Sequence, residues 1–124
     1  MFSTITLLKR KPGLSMEAFI AHYETVHARI GETYLAQGAL RYVRRYLHPA
    51  DEAADKPYDV VLEIGFADRD AYDRTLAVLR EPGPAAEIAA DEERLFDRSH
   101  NRMFFVEEHQ SDLAAIRAAG GMTA

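Results

Sequence analysis

The sequence predicts an α+β fold, in which a four-stranded antiparallel sheet carries its helices on one face. Segments with strand and helix periodicity follow one another in the order β-α-β-β-α-β, which is the split βαβ or ferredoxin-like arrangement. Each main helix has one apolar stripe, so it covers a sheet with one side only. The chain has 124 residues, 48% of them hydrophobic, which is the size and composition of one globular domain.

A strong break separates the first strand from the first helix. Phe2–Lys9 is mostly β-branched and apolar, which predicts the strand. Lys11–Gly13 contains a Pro-Gly pair that ends it, and Ser15 is placed to cap the helix that follows. That helix runs to about Tyr34. Its apolar stripe, with spacings of three and four, consists of Phe19, Tyr23, Val26 and Ile30.

Similar signals define the rest of the chain. Leu40–His48 alternates and predicts the second strand, and Tyr58–Phe66 predicts the third, beyond a polar loop over 49–57. Asp68 caps the second helix, which Glu81–Pro84 stops. The remaining predicted elements are a helix over Ala85–Leu95, a strand over Met103–Glu108 and a helix over Asp112–Ala119. We expect residues 1–110 to form the domain, and residues 111–124 to form a C-terminal helix and tail.

The second strand predicts the character of the uncovered face of the sheet. Tyr42, Arg44, Tyr46 and His48 alternate onto one side of it. Aromatic and polar groups suit a wet cavity, so we expect them to point away from the helices. Two such sheets packed face to face close into a dimeric α/β barrel, a homodimer whose lumen binds a small molecule. In the alternative, the chain is a monomer and this face is a solvated aromatic patch.

Charge and composition exclude several classes of function. The net charge of −5 opposes nucleic-acid binding, although Arg41, Arg44 and Arg45 form one basic cluster that can hold an anionic ligand. No apolar run reaches the roughly 20 residues that span a bilayer, so no membrane contact is expected. The absence of cysteine fits a reducing compartment, and we expect a cytoplasmic location. Without a phosphate-binding loop or a nucleophile elbow, no cofactor is predicted.

Two ordered motifs resemble the EthD-domain family. The first runs from Lys9 to His27 and combines a basic strand end, Pro-Gly-Leu-Ser and a helix with Phe, His-Tyr and a second His. The second is the acidic stretch Asp91–Asp97, ahead of the last predicted strand. The resemblance implies the dimeric α+β barrel fold. Relatives in that fold include ether-degradation proteins, polyketide dehydratases and cyclases, muconolactone isomerases and cofactor-free monooxygenases.

Among these activities, a cofactor-independent lyase or isomerase is the first function hypothesis. Its substrate would be a small cyclic, phenolic or polyketide-like molecule in a catabolic or biosynthetic pathway. Two alternatives stay open: a non-catalytic accessory dimer that binds a small molecule, and a cofactor-free monooxygenase. The fold alone does not decide among them.

His22 and His27 are the candidate catalytic residues, because histidine exchanges protons near neutral pH. At about 100° per residue they lie on opposite flanks of the apolar stripe. In the structural alternative, each binds a backbone carbonyl and fixes the helix on the sheet. Their five-residue separation is unsuited to joint ligation from one α-helix, and no metal site is predicted.

Other side chains complete the predicted site. Asp97 is the candidate that orients a histidine, with a helix cap or a surface ion pair as its structural alternative. Glu63 lies in the middle of a strand and would pair with Arg44, which could instead hold a substrate carboxylate or phenolate with Tyr46. The remaining substrate-binding candidates are Phe96 and Tyr23, which is otherwise a core residue.

Overall fold

A single sheet forms the centre of the fold, in a computed structural model that describes residues 1–52 and 56–120. Its strands are β1 (Phe2–Leu8), β2 (Arg41–Tyr46), β3 (Val60–Phe66) and β4 (Arg102–Phe105). They lie in the order β2-β3-β1-β4, and neighbouring strands are antiparallel, as predicted. Parts of the predicted polar loop and of the predicted tail, residues 53–55 and 121–124, lie outside the described residues.

Helices cover one face of this sheet, which confirms the predicted two-layer α+β fold. They are α1 (Met16–His22), α2 (Ala28–Leu35), α3 (Arg69–Leu79) and α4 (Pro82–Leu95). A further helix, α5 (Leu113–Ala118), follows the last strand and is exposed. A π-helical segment, Tyr23–His27, joins α1 to α2 without a break, and a 3-10 turn, Arg98–His100, precedes β4. Within residues 1–52 and 56–120, no helix has the length and apolar character needed to cross a bilayer.

Local sequence signals set the ends of the helices. A type II turn precedes α1, with Pro12 at its second position and Gly13, whose φ is +87°, at its third. Ser15 and Asp68 cap α1 and α3 as predicted, and each side chain accepts the N–H of the third residue along. Glu81–Pro84 is predicted to lie between two helices, and this prediction is wrong, because the segment forms the start of α4. Proline fits the first turn of a helix, where its missing N–H would have no partner.

Aromatic rings form the core between the helices and the sheet. Phe19 and Tyr23 are buried and meet Phe96 edge to face, with ring centroids 5.6 to 5.9 Å apart. Leu95 and Val60 are buried beside them. Since burying a side chain of this size contributes about 1.5–3 kcal/mol, this cluster holds the first helices against β1 and β3.

One face of strand β2 was predicted to point away from the helices, but it points towards them. Tyr42, Arg44 and Tyr46 pair in register with the β3 residues Ile64, Leu62 and Val60, which pack under the helices. The prediction for these side chains is therefore wrong. Glu24, in the π-helical segment, is the physical reason, because it binds both Arg44 and Tyr46 and so supplies a partner beneath the helices.

The outer face of the sheet is the side that the described helices leave uncovered. It carries the apolar residues Ile5, Leu7, Val43, Val61 and Phe104. Glu63 lies among them and forms ion pairs with Arg41 at 2.8 Å and Arg45 at 2.9 Å. The predicted pair of Glu63 with Arg44 does not form, because these two side chains lie on opposite faces of the sheet.

Candidate functional site

A cavity of about 270 Å³ lies between the helices and the sheet of one chain. The sequence analysis predicts a site between two sheets, so the cavity lies on the opposite side of the sheet from the expected place. Its walls are mostly apolar. The polar residues in them are Thr6, Tyr23, His27, Tyr42, Glu92 and Asn101. An apolar cavity with a few convergent polar groups is the usual form of a small-molecule site.

One buried carboxylate binds both candidate histidines. Asp91 lies on α4 and is 2% exposed. His22 Nε2 donates to its Oδ1 and His27 Nδ1 donates to its Oδ2, both at 2.8 Å. His27 lines the cavity, whereas the side chain of His22 is 32% exposed. The three side chains therefore connect the cavity to the protein surface.

The π-helical segment brings the two histidines to the same carboxylate. In a regular α-helix, five residues advance by about 140° beyond one full turn, which would leave His22 and His27 on opposite flanks as predicted. In this segment the backbone bonds span five residues, as from the Ala28 N–H to the Tyr23 carbonyl. The wider turn rotates His27 back towards His22. The prediction of opposite flanks is therefore wrong, and the extra residue in the turn is the reason.

Asp91 also selects the tautomer of His27. A carboxylate accepts hydrogen bonds but cannot donate them, so the imidazole nitrogen that faces it carries the proton. In the neutral imidazole of His27, the proton is therefore on Nδ1 and the lone pair is on Nε2. Burial acts to raise the pKa of the Asp91 carboxyl, but the hydrogen bonds from His22 and His27 outweigh burial, and the pKa lies below its ordinary value. Asp91 is thus ionised at neutral pH.

Two aromatic rings hold the His27 imidazole in one orientation. Tyr23 and Phe96 meet it edge to face, with ring centroids 5.3 and 5.4 Å away. Both rings are buried and both line the cavity, where the sequence analysis places them as substrate-binding residues. A side chain packed in this way needs no rearrangement before it can act on a ligand.

Tyr42 contributes a hydroxyl group to the cavity wall. Burial raises the pKa of Tyr42 and also that of Tyr23, whose hydroxyl hydrogen-bonds to it. Both phenols therefore stay protonated. One O–H is used in the hydrogen bond between them, which leaves the other free to donate to an oxygen in the cavity. Gly31 on α2 makes room for the Tyr42 ring, because a Cβ atom at that position would lie 2.5 Å from the Tyr42 hydroxyl oxygen.

Glu92 and Asn101 add polar groups at the other side of the cavity. Glu92 follows Asp91 on α4, is half-buried and places a second carboxylate in the wall. Asn101 Oδ1 accepts a hydrogen bond from the backbone N–H of Lys9 at 3.2 Å, which fixes the direction of its side chain. The cavity thus presents a base, a phenol, a carboxylate and an amide around an apolar interior.

Asp97 does not contact either candidate histidine. Its Oδ1 accepts a hydrogen bond from Ser99 at 2.7 Å, and its Oδ2 lies 2.9 Å from His100 Nδ1. The carboxylate that contacts both histidines is instead that of Asp91, six residues earlier. The reason is geometric: α4 ends at Leu95, so Asp97 lies beyond the helix that faces His27.

Arg44, Tyr46 and Glu63 also lie outside the cavity wall. Arg44 Nε and Nη2 donate to the two oxygens of Glu24 at 3.0 and 2.6 Å, and the Tyr46 hydroxyl donates to the same carboxylate. The guanidinium is thus occupied by a residue of its own chain. Glu63 is on the outer face with Arg41. Binding of substrate by these three residues stays a prediction without geometric support.

Two histidines and a carboxylate are also a known set of ligands for non-haem iron. Here His22 Nε2 and His27 Nδ1 each point at an oxygen of Asp91 at hydrogen-bond distance, so the three groups face one another rather than a common centre. In the part of the chain that the structure describes, no group of three His, Asp or Glu side chains could hold a metal ion.

Asp91 carries a sequence signal that indicates its role. Ile88, Asp91 and Leu95 are spaced by three and four residues on α4, so the carboxylate lies within the stripe that faces the interior. A carboxylate in that position needs a buried partner. The sequence analysis selects Asp97 instead, because Asp97 lies in the family motif. No comparable pattern in the sequence predicts that Tyr42 and Gly31 are neighbours.

The fold and the cavity define a class of protein: ferredoxin-like α+β domains with a cavity between the helices and the sheet. A family model described as "EthD domain" matches residues 11–99. The chain belongs to the EthD-domain family, which confirms the resemblance found in its motifs.

The solved structures that resemble this chain are distant in sequence. An ethyl tert-butyl ether degradation (EthD) family protein from Bacillus halodurans C-125 has 16% identity and a TM-score of 0.63, over 88% of this chain and 100% of that one. A variant of SnoaB, a cofactor-independent oxygenase from Streptomyces nogalater, has 20% identity and a TM-score of 0.57, over 90% of this chain and 95% of that one. A dimeric ferredoxin-like protein from an uncultured marine organism has 9% identity and a TM-score of 0.58, over 90% of this chain and 100% of that one. These likenesses show the fold alone. Among curated proteins, none matches the sequence.

Proposed function

We propose that this protein is a cofactor-independent lyase or isomerase, of the dehydratase or cyclase type, in which His27 transfers protons. The His27–Asp91 pair is the observation that supports this proposal. A buried carboxylate holds one imidazole nitrogen, and the other nitrogen belongs to a ring that lines an apolar cavity. The same pairing activates histidine as a general base on unrelated folds. The substrate would be a small cyclic, phenolic or polyketide-like molecule of a catabolic or biosynthetic pathway.

The proposed reaction begins when His27 Nε2 removes a proton from a carbon next to a substrate carbonyl. The electron pair of that C–H bond forms a carbon–carbon double bond, while the π pair of the carbonyl moves onto its oxygen. The Tyr42 hydroxyl donates a hydrogen bond to the resulting enolate. Asp91 stabilises the imidazolium, while His22 holds the other carboxylate oxygen as a positioning residue. Return of the proton to a different carbon gives an isomer. Loss of a hydroxyl group together with that proton gives water and an alkene.

The size of the cavity limits the substrate. An engineered cavity of about 150 Å³ in another protein holds one benzene molecule. The cavity of about 270 Å³ in this protein therefore corresponds to about two fused rings. Its apolar wall favours a neutral ring system, and the few polar groups suit one or two ring oxygens.

Hydrogen–deuterium exchange at substrate carbon tests the proton transfer before the natural substrate is known. Cyclic ketones, unsaturated lactones and bicyclic phenols are incubated with the protein in D2O, and exchange is followed by NMR. His27→Gln should lower the rate of catalysed exchange by about 100-fold or more, since general base catalysis contributes that much. His48→Gln, at an exposed histidine outside the cavity, is the matched control.

Two outcomes of this experiment would count against the proposal. If His27→Gln exchanges substrate protons as fast as the unmodified protein, His27 is not the base. If a compound binds tightly and no exchange occurs in any variant, the protein is a non-catalytic binder, the accessory role that the sequence analysis leaves open.

A cofactor-free monooxygenase is the second candidate function, favoured by the fold that this chain shares with SnoaB. In that reaction His27 would remove the proton of a phenol, and the electron-rich phenolate would react with dioxygen as the oxidant. Consumption of oxygen with a bicyclic phenol, lost in His27→Gln, would support it. Proton exchange without oxygen consumption favours the lyase or isomerase.

We further propose that two copies of the chain join through their outer faces as a homodimer. The apolar side chains of Val43, Val61 and Phe104 on that face would otherwise lie open to water, and Phe104 is 49% exposed in the single chain. One structure of the same fold is a dimeric protein. Sedimentation at micromolar concentration should give the mass of two chains.

A pair of matched variants locates this interface. Val61→Glu, on the outer face, should dissociate the dimer, because it places a charge among apolar groups. Val78→Glu makes the same change on α3, where the valine is already 38% exposed, and should leave the dimer intact. A monomeric unmodified protein would overturn the proposal.

We also propose a cytoplasmic location, supported by the absence of cysteine from the chain. Proteins of oxidising compartments often contain disulfides, whereas cytosolic proteins seldom do. Recovery of the protein in the soluble fraction of spheroplasts, after release of the periplasm, would test it in a bacterial host.

A further inference from the structure

Arg44 lies against the ring of Tyr42, the tyrosine of β2 that lines the cavity. The two residues are two positions apart on the helix side of the strand. The guanidinium carbon of Arg44 is 4.7 Å from the centroid of the Tyr42 ring, and the arginine side chain is 15% exposed. A cation over an aromatic ring interacts with it more strongly when water is excluded. A residue of the cavity wall thus has a largely desolvated positive charge against its ring.

Hydrogen bonds fix the guanidinium in this place. Its Nε and Nη2 donate to the two oxygens of Glu24 at 3.0 and 2.6 Å. Its Nη1 donates to the backbone carbonyl of Tyr42 at 3.3 Å. A bidentate pair between arginine and a carboxylate sets the direction of the guanidinium plane as well as its position. Glu24 therefore holds the positive charge of Arg44 over the Tyr42 ring.

Tyr23 supplies a hydrogen bond to the Tyr42 hydroxyl oxygen. Burial has the largest effect and raises the pKa of both phenols. The hydrogen bond between them adds to this rise at Tyr23 and opposes it at Tyr42, as expected when Tyr23 donates and Tyr42 accepts. The O–H that is left for a ligand is therefore that of Tyr42. A hydroxyl group that accepts one hydrogen bond becomes a stronger donor in the next.

Arg44 and Glu24 act on this O–H with opposite signs. The charge of Arg44 lowers the pKa of Tyr42 against the larger effect of burial, whereas the charge of Glu24 raises it. A donor whose own proton is held less tightly makes a stronger hydrogen bond to an anionic oxygen. The arginine therefore strengthens Tyr42 as a donor, and the carboxylate weakens it.

We propose that Arg44 is a positioning residue that acts through Tyr42: held over the ring by Glu24, it strengthens the hydrogen bond that Tyr42 donates to a ligand oxygen. This inference rests on the proposed function and adds a substrate class to it. The cavity selects a molecule whose oxygen carries negative charge in the reaction, as an enolate or a phenolate does. A purely structural ion pair would support the packing of β2 and leave the ligand oxygen unaffected.

The ionisation of bound 2-naphthol tests this role without the natural substrate. The ionised form absorbs at a longer wavelength than the neutral form, so a pH titration of the complex gives the pKa of the bound ligand. Arg44→Gln should raise that pKa by about one unit, a tenfold effect on ionisation. Glu24→Gln should lower it. Arg69→Gln is the matched control, because Arg69 also lies over a tyrosine ring, that of Tyr72 at 5.6 Å, and pairs with Asp73 on α3. It should leave the ligand pKa unchanged.

The opposite signs separate the proposal from a structural role. Loss of either partner weakens the fold, so a structural pair would shift the ligand pKa in the same direction in Arg44→Gln and Glu24→Gln, or in neither. Either result overturns the inference. If Arg44→Gln does not fold, the direction of the shift in Glu24→Gln decides alone. The other ionisable groups around Tyr42 and the ligand are the same in these variants: Tyr23, His27, Glu32 and Glu92.

The outcome is independent of the deuterium-exchange experiment, because it measures a bound ligand and not turnover. Opposite shifts without catalysed exchange would leave the role of Arg44 standing and count against the lyase or isomerase. Catalysed exchange without opposite shifts would overturn the role of Arg44 alone. If the unmodified protein does not bind 2-naphthol, the assigned cavity and this inference both fail.

Discussion

Replacement of Asp91 by asparagine perturbs the centre of the candidate site with almost no change in shape. In the unmodified protein, His22 and His27 each donate to one oxygen of this carboxylate at 2.8 Å. Asparagine offers one oxygen and one NH2 group, so only one imidazole keeps its acceptor. The other imidazole must present a lone pair to the NH2 group. We therefore expect one of the two histidines to change tautomer.

The expected loss of stability follows from these two hydrogen bonds. A hydrogen bond to a buried charge contributes about 2 kcal/mol, and a neutral one contributes about 1 kcal/mol. Because Asp91 is 2% exposed, water cannot replace either bond. The free energy of unfolding should therefore fall by roughly 2 kcal/mol, with a Tm lower by about 8 °C for a domain of this length.

Urea unfolding and long-range 1H–15N NMR of the imidazoles measure the two effects. Asp97→Asn is the matched control, because Asp97 also accepts from a histidine and a serine but lies outside the site. It should leave the spectra of His22 and His27 unchanged. The reasoning is refuted if the unmodified protein carries the His27 proton at Nε2, or if Asp91→Asn unfolds at the same urea concentration as the unmodified protein.

Three further predictions concern charge and space around the site. The folded pKa of Asp91 lies below its ordinary value of 3.8, so the ionised carboxylate stabilises the fold above that pH. This stabilisation is lost as the pH falls through the folded pKa. In an acid titration, Asp91→Asn should therefore lose less free energy of unfolding than the unmodified protein. Glu24→Gln should lower the free energy of unfolding by about 1 kcal/mol, because half-buried Arg44 loses its charged partner; a double-mutant cycle measures this. Gly31→Ala should destabilise by about 1 kcal/mol, as overpacking against Tyr42 exceeds the helix gain of alanine; thermal unfolding decides the sign.

The parts of the fold that the sequence predicts correctly depend on local signals. Pro12-Gly13 forms the turn before α1, and Ser15 and Asp68 cap their helices, because each of these residues acts on backbone within three or four positions. The bounds of the strands are less accurate, since pairing with neighbours decides where a strand ends. Strand β4 stops at Phe105, three residues before the predicted end.

The orientation of β2 shows why a site is harder to predict than a fold. Its alternation places Tyr42 and Arg44 on one side and Val43 on the other, so both sides mix polar with apolar groups. Hydrophobicity alone cannot say which side faces the helices. Glu24 decides, because it gives Arg44 a charged partner on the helix side of the sheet, and it lies 20 residues earlier in the chain. A pairing of that kind appears only after the helix and the strand are packed.

The π-helical segment reconciles two demands that a regular helix cannot meet at this spacing. Phe19 and Tyr23 are four residues apart and pack into the core as successive positions of an α-helical stripe. His22 and His27 are five residues apart and must reach the same carboxylate on α4. One π turn, inserted after the core stripe, adds the fifth residue without breaking the helix. The rare backbone geometry therefore lies where the two histidines meet Asp91, and the amino-acid spacing alone, interpreted with an α-helical period, leads away from that arrangement.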